Sequence, residues 1–187
     1  MAVCAIEPYA QCAGVDLRKF YSKYADPNSL NLANADMSGV DLRRANLAAA
    51  NLYGANLRGA QLQGANLKNA NLRRANLNGS GLNGADLTGA TLTGADLVGA
   101  DMTKAALAGA TLSNGNLFAA DFTGADLSGA NLINAVVTKA NFTNANLRGA
   151  ILLEVSLFKA ILTGADLSGA SVQPSVVCQE NSIGRCK

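Results

Sequence analysis

The sequence has no histidine and no tryptophan, and aromatic residues fill only 5% of its 187 positions. Without histidine, the commonest general base and metal ligand is missing. With so few large rings, any core must be assembled from many small and medium side chains. Charge is also scarce: Asp, Glu, Lys and Arg make up 15%, against about 25% in an average domain. The net charge of +2 is too mild to predict nucleic-acid binding and argues against a polyanionic surface. No run of about 18 apolar residues occurs, so no membrane-spanning helix is expected. There is no glycine-rich phosphate loop at a helix start, no nucleophile elbow and no pair of carboxylates set in a cleft. An enzyme is therefore the least favoured class, with no cofactor, metal or small-molecule substrate expected.

The chain is instead dominated by a repeat. Stepping by five from Leu32 to Val172 gives 29 positions, and every one is apolar. Twenty-three are Leu; the others are Met37, Met102, Phe122, Val137, Phe142 and Val172. Two residues before each centre is a small-residue column with Ala at 24 of the 29 positions. Its exceptions are Leu30, Val40, Ser80, Gly115 and Val155. Asn or Asp precedes the centre in 19 repeats, and Gly or Asn stands two places after it in 20. The unit reads A-(N/D)-L-x-G, as in Ala55-Asn56-Leu57-Arg58-Gly59.

Ala and Leu favour helix by propensity, but the period does not. An α-helix would turn successive centres by a net 140° or so and wrap Leu around its whole surface. Fifteen Gly at one phase would each cost a helix about 1 kcal/mol. A short extended piece followed by a tight corner fits instead. Ala, polar and Leu alternate in, out, in, and Gly or Asn supplies a corner residue at positive φ. The turn type stays open at this level.

With these units uninterrupted over about 145 residues, the chain resembles the pentapeptide repeat family. The resemblance implies an all-β fold: a right-handed quadrilateral β-helix of four repeats and 20 residues per coil, with the Leu and Ala columns inside. About seven coils would make a rod about 35 Å long at the spacing of paired strands. Residue n then lies over n+20, so Leu42, Leu62, Leu82, Met102, Phe122, Phe142 and Leu162 form one interior ladder, with Phe122 and Phe142 stacked.

Three regions are expected: an N-terminal cap over 1–29, the repeats over 30–174 and a C-terminal cap over 175–187. Both ends of such a rod are open sheet edges that need covering. Phe20 and Tyr24 lie four apart, as on one helix face, and 17–26 reads as a helical plug ended by Pro27. Beyond Pro174, Ser175 is a candidate N-cap for a short helix to about Ser182. Four cysteines sit at the ends: Cys4, Cys12, Cys178 and Cys186. A disulfide needs Cα atoms within about 7 Å, so the rod length implied by the resemblance excludes pairing between ends. Local bridges Cys4–Cys12 and Cys178–Cys186, or free thiols, remain. Local bridges would point to an oxidising compartment, a thylakoid lumen or periplasm; free thiols would point to the cytoplasm. Met1 to Ala13, with Glu7 and Pro8, does not read as a secretory peptide, so export implies a trimmed presequence.

Outward positions carry any recognition. From Gly14 to Gly79 there are nine Lys or Arg against four Asp; from Ser80 to Ala130 there are five Asp against one Lys. Arg43, Arg44, Arg58, Lys68, Arg73 and Arg74 form a basic collar, with Tyr53 and Arg73 a candidate cation–π pair. A second feature is apolar: Val98, Phe118, Ile133, Val136, Ile151, Leu153, Phe158 and Ile161 take outward places usually polar. Such a patch covers something: the C-terminal segment folded back, or a homodimer or partner interface. The file Thr103, Thr123, Thr143, Thr163 is too narrow to argue an ice-binding array. The function expected is a non-enzymatic rigid scaffold or protein-interaction module, without direct nucleic-acid or membrane contact. The alternative implied by the resemblance is a gyrase-binding DNA mimic that protects topoisomerase. That role wants an anionic rod, which the collar is not.

Overall fold

The computed structural model describes residues 30–172. The described chain winds so that each bridge residue pairs in parallel with the one 20 positions on, from Asn31 with Asn51 to Asn146 with Asp166. Among the described residues, the only pairing long enough to count as strands is at the C-terminal end, where β1 (Ile151–Leu152) lies parallel to β2 (Ser171–Val172). With a corner every five residues and a rung every 20, each turn of the coil has four sides.

Each regular side is held by three backbone hydrogen bonds. At the first, the Leu32 N–H donates to the Asn51 carbonyl (2.8 Å), the Asn34 N–H to Tyr53 (2.8 Å) and the Asn51 N–H to Leu30 (2.9 Å). Corners are closed by an i+3 to i bond, as from Ala35 N–H to the Leu32 carbonyl at 3.1 Å. At all 28 corners from Asn34 to Gly169 the second central residue has positive φ, fifteen of them Gly and thirteen not. The residue before it does not, which identifies a type II turn. The corner chemistry left open by the sequence is thus one turn type used throughout.

The interior follows the two apolar columns. Every centre from Leu32 to Leu152 is at most 1% exposed, and the small-residue column beside it is buried to Val155. Ala is needed there because a side chain just after the corner faces the crowded axis. Ser80 takes one such place by turning its hydroxyl back on the Leu77 carbonyl (2.7 Å). Phe122 and Phe142 stack with centroids 5.1 Å apart and planes 9° from parallel, a pairing worth about 1 kcal/mol beyond burial. Burial declines only at the C-terminal end, where Leu157, Ala160, Leu167, Ala170 and Val172 are partly covered.

One rung is missing. Among the described residues, Val136 does not pair with Ser156, although the rungs on either side form. The three bonds that side should carry are absent: Val137 N–H to Ser156, Lys139 N–H to Phe158, and Ser156 N–H to Ala135. The preceding corner, Leu152 to Val155, also lacks its closing bond. Val155 stands in the Ala column there, one coil on from Ala135. The helical caps and the cysteines expected from the sequence lie outside the described residues.

Candidate functional site

Only the outward columns vary from coil to coil, so any site is built from them. The first is the bridge column of Asn and Asp. Its side chains do two jobs the alternation argument did not assign. The Asn71 carbonyl oxygen accepts the Arg73 backbone N–H (3.3 Å), while its amide donates to Asn51 one coil back (3.0 Å). Asn56 to Asp36 and Asn146 to Asp126 repeat the cross-coil link at 3.0 and 2.8 Å. An amide or carboxylate is favoured because an apolar side chain offers the corner N–H no acceptor, although Gly81, Ala106 and Ile161 stand in the same column. The recurrence of Asn and Asp before the centre was the visible signal.

The same geometry sets the carboxylates. The Asp36 carboxyl is held below its ordinary value by the Ser38 backbone N–H and then the Ser38 hydroxyl; burial opposes them, and Asn56 adds a lesser lowering. Burial pushes Asp86 up, but the Thr88 hydroxyl, the Thr88 N–H and the Lys68 ammonium together hold it below its usual range. Lys68 lies 3.1 Å from Asp86. Asp101 and Asp121 stack as expected, and each is satisfied by its own threonine, Thr103 at 2.7 Å and Thr123 at 2.6 Å. The Thr file therefore serves as local partners for these carboxylates and, at Thr143, for Asn141.

The basic collar forms as the repeat placed it, on all four corner columns. All six of its residues are exposed. Arg43 pairs with Asp41 at 2.7 Å and Lys68 with Asp86, whereas Arg44, Arg58, Arg73 and Arg74 form no ion pair among the described residues. Arg44 and Arg74 lay their alkyl stems over the corner glycines one coil on, Gly64 and Gly94. Arg73 shares a column with Tyr53, but no cation–π contact forms there. The ring–cation contacts lie at the other end: Lys139 over Phe118 (5.2 Å) and Lys159 over Phe158 (5.0 Å).

Of the eight outward apolar residues, four are exposed: Val136 (50%), Leu153 (39%), Phe158 (59%) and Ile161 (48%). Val98, Phe118, Ile133 and Ile151 are half-buried between their column neighbours. The patch is thus confined to the last described coil and Val136 just before it, around the missing rung. Among the described residues no three His, Cys, Asp or Glu side chains come together as a metal site, and no helix is long and apolar enough to cross a membrane.

A parallel coil with four type II corners per 20-residue turn and a buried apolar interior defines a β-solenoid built of five-residue units. The chain belongs to the pentapeptide repeat family: the pattern described as Pentapeptide repeats matches in 8 copies between residues 10 and 173. Solved structures of this family make the coil a right-handed β-helix. A trypsin-treated variant of QnrB1, a plasmid-mediated fluoroquinolone resistance protein, is 19% identical over 90% of this chain and 91% of its own, with a TM-score of 0.58. HetL, a pentapeptide repeat protein involved in heterocyst differentiation regulation in the cyanobacterium Nostoc sp. strain PCC 7120, is 29% identical over 92% of this chain and 91% of its own (TM-score 0.44). A pentapeptide repeat protein of the Arabidopsis thaliana thylakoid lumen is 28% identical over 73% of this chain and 71% of its own (TM-score 0.34). No curated protein matches the chain at a significant level.

Proposed function

We propose that the protein is a non-enzymatic, rigid interaction module that binds an acidic protein surface through its basic collar. The observation that carries this reading is the contrast between inside and outside. The interior repeats with almost no change and is apolar and buried, so specificity is left to the outward columns. Among these, the guanidinium groups of Arg44, Arg58, Arg73 and Arg74 are exposed and form no ion pairs among the described residues. Arginine presents a planar fork of donors suited to carboxylates, and a rigid coil holds these forks without a loop having to be ordered. The experiment is capture from an extract of the native source on immobilised protein at low salt, followed by elution with a salt step. Retention of an acidic protein released by salt supports the reading; retention of nothing, or only of proteins indifferent to salt, contradicts it.

The same reading disfavours the topoisomerase-protection alternative. The likeness to QnrB1 concerns the fold, and the collar has the wrong sign for a mimic of duplex DNA. A supercoiling assay with a quinolone present should show no protection at micromolar protein. We place the protein in an oxidising compartment, lumen or periplasm, on the strength of the two cysteine pairs in the sequence. A free-thiol count after blocking thiols at lysis should find none; four free thiols would return the protein to the cytoplasm.

A further inference from the structure

We propose that the open rung at Val136–Ser156 is a docking slot for the chain's own C-terminal segment, residues 173–187, which lies across it and covers Val136 and Phe158. The slot is a discontinuity in an otherwise regular ladder. Three amide N–H groups, those of Val137, Lys139 and Ser156, have no backbone acceptor among the described residues, and unpaired backbone groups beside apolar surface are costly unless water or another chain segment reaches them. Val136 and Phe158, the two most exposed large apolar side chains among the described residues, flank it. Lys139 and Lys159 stand at its corners with their ammonium groups over Phe118 and Phe158. Apolar surface, unpaired strand backbone and two cations together call for an extended apolar segment carrying a carboxylate.

The position and composition of the C-terminal segment match that description. Val172 lies in β2, directly beneath Leu152, and Ser156 is only four residues further along the coil above. Fifteen residues come after Val172, enough to reach about 50 Å when extended. Residue 174 falls on the corner place where all 28 described corners have positive φ, and it is a proline. The pyrrolidine ring fixes φ near −65°, so residue 174 is unsuited to the type II corner used at every described position. Beyond the proline the sequence carries Val176, Val177 and Ile183, with Glu180 as its carboxylate. A second copy of the chain or a foreign peptide could present similar chemistry, but neither is tethered beside the slot.

The test is residue-resolved amide exchange on the full chain, at two protein concentrations, for the wild type and for the double variant Val176→Asp, Val177→Asp. The Val137, Lys139 and Ser156 amides should be protected in the wild type at both concentrations. They should exchange at least about tenfold faster in the variant, as for a locally opened segment, while the Leu97 and Leu117 amides do not change. Exchange of the three amides at the free rate in the wild type overturns the proposal. So does protection that grows with concentration, which means a second copy occupies the slot, and so does equal protection in the variant. Should the variant fail to fold, the two-concentration comparison on the wild type decides alone.

Discussion

At the residue scale the fold depends on three side-chain roles within each five-residue unit: a large apolar centre, a small residue beside the axis, and an Asn or Asp that ties the corner to the coil before it. The centres tolerate no charge. Leu97 is fully buried, and Leu97→Asp should unfold the middle of the rod, because a carboxylate there has neither partner nor water. Leu97→Ala should cost about 2–5 kcal/mol, read as a fall in denaturant midpoint. Asn71→Ala removes two side-chain hydrogen bonds and should cost about 1–2 kcal/mol. The charged members of the Asn/Asp column give a pH signature. The Asp36 and Asp86 carboxyls sit below the ordinary value of 3.8 when folded. Their contribution is therefore complete above that pH and is lost as pH falls below it through the folded values. Thermal melts should be flat from neutrality to about pH 5 and decline below about pH 4; a decline that begins near neutrality would contradict the assignment.

At the scale of the side and its corner, the sequence was legible where the repeat was strict. The columns of Leu and Ala, the register of 20 and the Phe122–Phe142 stack come from periodicity and the family resemblance. The corner type was not legible, because Gly and Asn serve several turns and Arg44, Ala49, Lys104 and Glu154 occupy the same positive-φ place. The Tyr53–Arg73 contact was over-read: sharing a column brings two residues to neighbouring coils but does not orient a long side chain over a ring. The missing rung was hidden for a different reason. Val155 looks like a permitted apolar substitution, and Val40 is accepted in the equivalent place with its corner bond intact at 3.2 Å. At Gly99, φ is +63° and a Cβ would touch nothing within 4 Å. Any cost of Gly99→Ala is therefore conformational, about 1 kcal/mol, and Lys104→Gly at a corner with φ of 56° should change stability in the favourable direction. Equal melting temperatures for both variants would contradict a positive-φ requirement at these corners.

At the scale of the whole molecule, the backbone pairing among the described residues joins consecutive coils, so the rod should behave as a stack of nearly independent layers. Removing 20 residues, 81–100, should leave a shorter rod with the same spectrum, because every column rejoins in register. Removing Gly99 alone should be far more damaging, since it breaks the phase of every later repeat. The same modularity separates stability from recognition. The collar residues sit on corners and are exposed, and the four without ion pairs among the described residues contribute little to holding the coil. The direct measurement replaces each by the residue one coil on in its own column: Arg44→Gly, Arg58→Asn, Arg73→Thr and Arg74→Gly. Melting temperature and capture of the salt-sensitive partner are then compared with the wild type. A melt that is not lowered, and is raised if anything because Arg44 and Arg74 stand at positive φ, with the partner lost is the predicted result; full retention of the partner by the neutral collar would contradict the proposed function.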